Sequence, residues 1–427
     1  MIIRNDMRSI NVGYACLALG VNNTEMKTCR LQGASPERLE ALTAHNLSAL
    51  EIMIRYNAKN GIRLFRISSD LVPFGSHPSV SFDWQDGFAS RLSEIGRLIN
   101  QTSMRVSMHP GQYTVLNSTR ADVIARAIDD LIYHERLLSA LQTDSLHKIV
   151  LHIGGVSGSK RDALARFHTH FSYLDDAVKS RLVLENDDRY FNIADVLETG
   201  QALGIPVVFD NLHHTINGCG TASPYEWIRL CGDTWHECDG RQKIHYSEQD
   251  DTKRAGAHSK TVHVCAFLEF AAPLSNLDIM LEVKDKNLSA VKCTLCLEGE
   301  GHIQEIEKQW RLYKYLVLEK NPPGYQEIRE LLKEKSAYPA ARFFAIIETS
   351  LSMQENKGFA VNAARHVWGY FKTVCTASEK AAFEQLIGGY SAGHFPLSRV
   401  KNMLLRLSEK YHIFYLLDSY YFLSVIC

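Results

Sequence analysis

The sequence predicts a (β/α)8 TIM barrel followed by a separate all-α C-terminal domain. Three observations carry that prediction. Over the first ~290 residues, eight short β-branched runs alternate with helix-length segments. The runs are too apolar for a half-exposed sheet, which points to parallel strands covered on both faces. Past about residue 325 only helical periodicity remains. A doubly wound open sheet is the alternative that the same alternation allows.

The runs, in order, are "NVGYACL", "LFRISSD", "RVSMHP", "KIVLHIG", "RLVLEND", "PVVFDN", "KIHYS" and "DIMLEVK". Between them lie segments such as "ERLEALTAHNLSALEIMIRYNAKNG" and "STRADVIARAIDDLIYHERLLSAL", with apolar residues at helical spacing. "EKNPPGYQE", Glu319 to Glu327, is a Pro/Gly break of the kind that separates domains. It predicts a barrel domain over residues 1–318, a linker over 319–327 and a helical domain over 328–427. In that last domain "YQEIRELLKEKS", "AARFFAIIETSLSMQE", "AVNAARHVWGYFK", "EKAAFEQLIGGY" and "LSRVKNMLLRLSEKYHIFYLLDSYYF" are all helical in period. His366, Trp368 and Tyr370 stand two residues apart and do not share one helix face, so Trp368 reads as core.

Composition bounds the function. Hydrophobic residues at 45% and charged residues at 22% suit a globular protein with a large core. Lys plus Arg (47) balance Asp plus Glu (48), so a polyanionic partner would need a local basic groove. The ten cysteines show no dense framework and read as thiols in a reducing compartment. "CTLC" (Cys293 and Cys296) is a single pair and a weak zinc signal. "MIIRNDMRSI" has no long apolar core, and no stretch approaches a membrane span. A cytoplasmic protein without a membrane partner is expected.

In a barrel of this kind the strands' C-terminal ends surround the active site. Those ends carry Tyr14, Ser68 with Asp70, His109, His152, Glu185, Asp210 with His213, His245, and Glu282. A histidine after one strand is an ordinary loop residue. The six strands from the third to the eighth finish directly in a His or a carboxylate, which would place all of these in one bowl. A rim that only solvates strand ends would carry Ser, Asn, Lys and Gly instead. Imidazoles and carboxylates without thiolate suit Zn²⁺, Mn²⁺ or Fe²⁺. His109, His152, Glu185, Asp210, His213, His245, His258 and Glu282 exceed the needs of one tetrahedral ion. They would serve two or three divalent ions, with a carboxylate such as Glu185 as bridge. Clustered ions polarise a phosphoryl group, generate hydroxide and stabilise a leaving oxygen. Phosphodiester hydrolysis needs all three.

The motifs "GYAC", "RISSDLVPFGSHP", "HPGQY", "LHIGG", "LENDD", "VFDNLHH", "KIHYS", "GAH" and "MLEVKDK" follow one another over about residues 10 to 286. Together they resemble the UV damage endonuclease family, with a more distant similarity to abasic-site enzymes of the endonuclease IV type. The resemblance implies a metal-dependent DNA repair endonuclease. It would nick immediately 5′ of a UV photoproduct, a pyrimidine dimer or 6-4 product, and leave a 3′-hydroxyl and a 5′-phosphate.

By motif, the resemblance places His109, His152 and Glu185 around one ion, expected to be manganese. Glu185, Asp210, His245 and Glu282 would hold a second. His213 and His258 would hold a third, beside Lys243, whose family counterpart can be carboxylated. His77 in "GSHP" would meet the scissile phosphate, so Glu185, His77 and Lys243 form the expected catalytic set. Gln112 and Tyr113 match the family's probing pair, and Tyr14 would line the same lesion pocket. The implied partner is UV-damaged double-stranded DNA, bound by a monomer.

Two features depart from the family. After "GAH", Lys260 stands where an acidic residue is expected. The C-terminal region looks like a helical domain of unknown function found in other bacterial proteins, with a further partner as its expected role. The rival readings are an abasic-site endonuclease, which needs a smaller pocket, and a divalent-metal sugar isomerase. The isomerase would need neither the His213–His258 pair nor a projecting Gln-Tyr loop. A non-catalytic relic barrel would not keep the complete ligand set.

Overall fold

The computed structural model describes residues 10–299 and 301–426. Residues 1–9, which hold most of the stretch "MIIRNDMRSI", Glu300 and Cys427 lie outside the described residues.

The eight strands are β1 (Ile10–Ala15), β2 (Leu64–Arg66), β3 (Arg105–Met108), β4 (Lys148–His152), β5 (Leu182–Glu185), β6 (Val207–Val208), β7 (Lys243–Tyr246) and β8 (Leu277–Leu281). All pair in parallel in the order β6-β5-β4-β3-β2-β1-β8-β7, so β1 lies between β2 and β8. The two end strands meet through a single parallel bridge, Asp210 with His245, where the His245 N–H donates to Phe209 O at 2.9 Å. That closure replaces the open-sheet alternative with a nearly closed barrel. The bridge is made by two of the predicted ligands, so the seam of the barrel lies at the candidate site.

The elements form where local chemistry supports them. Pro36 sits in the first turn of the helix Pro36–Lys59, and the Ser35 side chain accepts from the Arg38 N–H. Ser159 and Asn192 make capping boxes with Asp162 and Asp195 at the helices Lys160–Phe171 and Ile193–Leu203. Gly204 ends the latter in the left-handed region at φ 65°. The interior face is apolar one layer below the ligands: Val150, Val183 and Val208, each two residues before His152, Glu185 or Asp210, cluster against Trp235, whose Nε1–H donates to Val207 O at 2.9 Å.

The barrel's N-terminal floor is ionic. Arg105, at the start of β3, donates to Leu146 O (2.8 Å), Asp239 O (2.7 Å), Arg241 O and Asp278 Oδ2 (2.9 Å). Lys148 pairs with Asp239 at 2.7 Å. Fork-shaped guanidinium donation ties the beginnings of several strands together beneath the apolar layer, with Arg105 Cζ 5.4 Å from the Trp235 ring centroid.

A second compact unit comprises the described residues from 295 onward with Leu19–Val21 and His263–Glu269. It contains the helices Ile303–Lys320, Pro322–Leu331, Ala340–Ser352, Lys357–Trp368, Ala377–Ser391 and Leu397–Lys410. The Pro/Gly break falls at the junction of the first two, where Asn321 Oδ1 accepts from the Gly324 N–H (3.1 Å). Trp368 is core, stacked on Phe383 with centroids 4.2 Å apart and planes at 5°. The last helical stretch is interrupted: Leu397–Lys410 stops, His412 adopts φ 52°, and a short helix restarts over Phe414–Leu417. Among the described residues no helix is long and apolar enough to cross a membrane.

Candidate active site

Glu185, at the end of β5, is the centre of the constellation and is buried. Its Oε2 lies 3.0 Å from His109 Nε2 and 3.5 Å from His152 Nε2. Its Oε1 lies 2.7 Å from His245 Nδ1 and 3.7 Å from His213 Nδ1. Glu282 Oε1 stands 3.4 Å from His245 Nδ1, and Asp210 Oδ1 3.8 Å from His213 Nδ1. Among the described residues three groups have donor atoms mutually within 4.8 Å: His109, His152, Glu185; Glu185, Asp210, His213; and Glu185, His245, Glu282. Glu185 belongs to all three.

Strand register brings these residues together. His152 and Glu185 are Cα partners on β4 and β5. Asp210 also caps the short helix Asn211–Ile216 by accepting from the His213 N–H (2.7 Å), which fixes His213 beside it.

The donor chemistry fits divalent cations. Nδ1 of His109 faces the Pro110 carbonyl (3.1 Å), that of His152 the Glu185 carbonyl (3.3 Å), and that of His213 the Asn186 carbonyl (2.9 Å). A carbonyl can only accept, so Nδ1 carries a proton; in His109 and His152 Nε2 is left with a lone pair for coordination, whereas the carboxylates around His213 favour a second proton that a bound cation would displace. Burial, only partly offset by Glu185, lowers the His109 pKa to about 4. A neutral imidazole therefore turns its lone pair towards a carboxylate oxygen, an arrangement that a shared cation resolves. Asp210 Oδ2 and His245 Nε2 are buried with no hydrogen-bond partner among the described residues. Polar atoms so placed are costly unless they bind something.

Electrostatics follow from the three carboxylates. Burial opposes ionisation of Glu185, but His245, His152 and His109 outweigh it and hold the group well below the usual carboxylate range. Burial likewise opposes charge on His213, yet Asp210, Glu185 and Glu282 push its pKa up to about 9. Glu282 is held low, against burial, by Arg66 and His245.

Other predicted residues lie outside these groups. His258 is presented by a hairpin through its bridge to Gln249, and its Nε2 is 3.7 Å from Glu282 Oε2. Lys260, two residues later, is exposed, and its carbonyl accepts from the Asp285 N–H. Lys243 lies two residues before His245 on the same strand face and is buried. Burial, with Arg105 and Arg66 nearby, lowers its pKa to about 7. His77 accepts from the Ser79 N–H through Nδ1 (3.2 Å), with its ring edge-on to Phe74.

Gln112 and Tyr113 occupy the tip of a turn closed by the Thr114 N–H to Gly111 O (2.9 Å). Tyr113 is 72% exposed. Its ring lies over Gly111, where a Cβ would sit 2.5 Å from Cε1. Thr114 donates to Asp130 (2.6 Å), anchoring the turn to the helix Ala121–Ala140.

Two expectations are corrected. Tyr14 does not line the bowl: it is fully buried, and its hydroxyl donates to Asn57 Oδ1 (2.7 Å) on the helix Pro36–Lys59. Strand alternation turns its side chain towards the helix layer. Ser68 and Asp70 are not strand ends, because β2 stops at Arg66 and the Ser68 hydroxyl accepts from the Asp70 N–H (3.2 Å) in a following turn.

The residue missed at that strand end is Arg66, paired with Glu282. Its signal was the short apolar run, which places Arg66 rather than Asp70 at the rim. Asn186 was also missed. Its amide donates to Asp210 O (3.1 Å) and accepts from the Asp210 N–H (2.9 Å), clamping β5 to the segment after β6. Asn211 makes the same reciprocal clamp with Ser247 (2.9 and 2.8 Å).

Comparison with known proteins agrees with this architecture. The family described as UV-endonuclease UvdE matches residues 10–313, and a protein family of unknown function, DUF1722, matches residues 314–424. A UV DNA damage endonuclease of Clostridium perfringens is 40% identical over 335 residues, spanning 76% of this chain and 80% of that protein. A UV-damage endonuclease of Schizosaccharomyces pombe is 35% identical over 292 residues, spanning 64% of this chain and 48% of that protein. The crystal structure of SacUVDE superposes with a TM-score of 0.66 at 38% identity, covering 68% of this chain and 99% of that one. A nearly closed parallel barrel, ligand-type side chains converging on Glu185 and a family match over residues 10–313 lead to one assignment: the chain belongs to the UV-endonuclease UvdE family.

Proposed function

We propose that this chain is a DNA repair endonuclease that nicks the backbone immediately 5′ of UV photoproducts by multi-metal hydrolysis, leaving a 3′-hydroxyl and a 5′-phosphate. The observation that carries the proposal is the set of three ligand groups sharing Glu185. His109, His152 and Glu185 would hold one manganese ion. Glu185, Asp210, His245 and Glu282 would hold a second, and His213 with His258 a third. Such ions supply phosphoryl polarisation, hydroxide at neutral pH and stabilisation of the leaving oxygen.

The chain's own residues do the rest. Backbone carbonyls fix the imidazole tautomers, and the Asn186 clamp holds Asp210 in register. His77 contacts the scissile phosphate. Gln112 and Tyr113 enter the duplex at the lesion, where damaged pairing lowers the cost of unstacking. The deciding experiment incubates the protein and Mn²⁺ with a labelled duplex carrying one pyrimidine dimer, beside abasic and undamaged duplexes. Cleavage confined to the dimer duplex is expected. Equal or exclusive cleavage of the abasic duplex overturns the assignment.

Tyr113→Ala should weaken cleavage of the dimer duplex by roughly fivefold to a hundredfold, since stacking on one base contributes about 1–3 kcal/mol. Bound manganese, measured by atomic emission, should stay unchanged. A fall in metal content would place Tyr113 in the wrong role.

Lys243 is the proposed carbamate ligand. A pKa near 7 leaves a large neutral fraction at neutral pH. The amine nitrogen can then add to the carbon of CO2 and release a proton, giving a carbamate anion. Protein equilibrated with ¹³C-bicarbonate should show a carbamate ¹³C signal that Lys243→Ala removes. Its persistence in that variant would show the signal comes from elsewhere.

A further inference from the structure

The helices Ala377–Ser391 and Leu397–Lys410 form an antiparallel hairpin in the second unit. Lys410, at the end of the second helix, donates to Glu379 at the start of the first (2.6 Å). One side of the hairpin fills the unit's core through Phe383, Ile387, Val400 and Leu404. Another carries a groove of about 530 Å³, lined by Leu386, Met403, Leu407, Arg399, Arg406 and Glu379 among others. Leu386 and Met403 are half-buried and Leu407 is buried, so the floor is apolar. None of the lining residues is aromatic.

The rim is cationic. Glu379 is already committed: besides Lys410 it accepts from the Tyr411 hydroxyl (2.7 Å) and the Thr376 N–H (2.8 Å). Arg399 and Arg406 are both exposed, and neither forms an ion pair among the described residues. Arg399 rests over the Phe395 ring with Cζ 4.7 Å from its centroid, which orients the guanidinium while leaving its edge donors available. Arg399, Met403 and Arg406 follow one another at helical spacing on one face. The two arginines are thus about 10 Å apart along the helix axis at a rise of 1.5 Å per residue.

We infer that this groove docks an acidic amphipathic helix of a partner protein. The apolar side of that helix would lie on Leu386, Met403 and Leu407. Carboxylates about two turns apart would meet Arg399 and Arg406 as charge-assisted, bidentate pairs. Two unpaired arginines over an apolar floor ask for a ligand that is anionic at its edges and apolar on one face. Nucleic acid satisfies only the first condition, and base stacking would need an aromatic platform that the groove lacks. The inference is independent of the barrel's chemistry, so each stands or falls alone.

The test titrates the full chain against a fluorescein-labelled three-turn helical peptide with a leucine face and two glutamates seven residues apart. The same peptide with lysine for glutamate and a short labelled duplex serve as comparisons. Fluorescence anisotropy should report binding of the acidic peptide and not of the lysine peptide, and any duplex binding, which belongs to the barrel, should be unchanged by the arginine variant. Arg399→Glu with Arg406→Glu should weaken it by at least about tenfold. Met403→Asp should do the same, with unchanged circular dichroism as the folding control. Should Met403→Asp fail to fold, the surface arginine variant decides. No binding of the acidic peptide, equal binding of the lysine peptide, indifference to the arginine variant, or duplex binding that the arginine variant abolishes would each overturn the inference.

Discussion

Glu185→Ala is expected to strip the site of divalent metal and to reduce nicking by well over about a hundredfold, since loss of a mere outer-shell partner already costs 10–100-fold. Glu185 is the one residue common to all three ligand groups, and its two oxygens face four imidazoles. Removing it takes a ligand from every group and leaves those imidazoles without their central anion. The effect is therefore larger than for any ligand that serves one group. Metal content by atomic emission and single-turnover nicking read it directly. A second readout does not depend on activity. Metal that binds only the folded state stabilises it by about 2.7 kcal/mol at a hundred times Kd. Wild-type protein should melt higher with Mn²⁺ than with chelator, and Glu185→Ala should show no such shift. A variant that keeps both its manganese and its melting shift would remove Glu185 from the centre of the site.

Arg105→Ala should lower stability by about 3–5 kcal/mol, the usual loss when one partner of a buried ion pair is removed. Arg105 donates to three backbone carbonyls and to Asp278, which is 1% exposed. The substitution strands that carboxylate and leaves the carbonyls of Leu146, Asp239 and Arg241 short of a donor. Asn11 still donates to Asp278 (2.8 Å) and Arg241 stands 4.0 Å away, which favours the lower half of the range. Arg105→Lys should recover only part of the loss, because an ammonium cannot reproduce the planar fork. Urea denaturation at fixed metal concentration measures both variants. A change below about 1 kcal/mol, the scale of an exposed pair, would show that the floor network contributes little.

Much of the site was legible along the chain because barrel strands end at one rim. Any residue that follows an apolar run becomes a rim residue once the runs are known to be parallel. His109, His152, Glu185, Asp210 with His213, His245 and Glu282 were readable in this way, and His213 reaches the site because it stands one helical turn after Asp210. Tyr14 and Arg66 show where the reading ran out. The period of two shows that neighbours alternate between faces, but not which set points inward. Tyr14 fell on the helix side, and its hydroxyl found Asn57. Arg66 lay hidden inside a run that was read as four residues too long.

The sequence by itself determined the alternation of strands and helices, the change to an all-helical C-terminal region and the identity of the ligand-type side chains. These follow from local periodicity and residue chemistry. The tertiary structure alone decided that His109, His152, His213 and His245 all turn towards Glu185, that Arg66 neutralises Glu282 and that Asp210 and His245 close the barrel. It alone joined Arg399 and Arg406 with Leu386 in one groove. Each of these is a relation between residues on different elements, up to 216 positions apart for Arg66 and Glu282. Pairing over such distances is set by strand register, barrel closure and side-chain direction, none of which leaves a periodic trace in the chain.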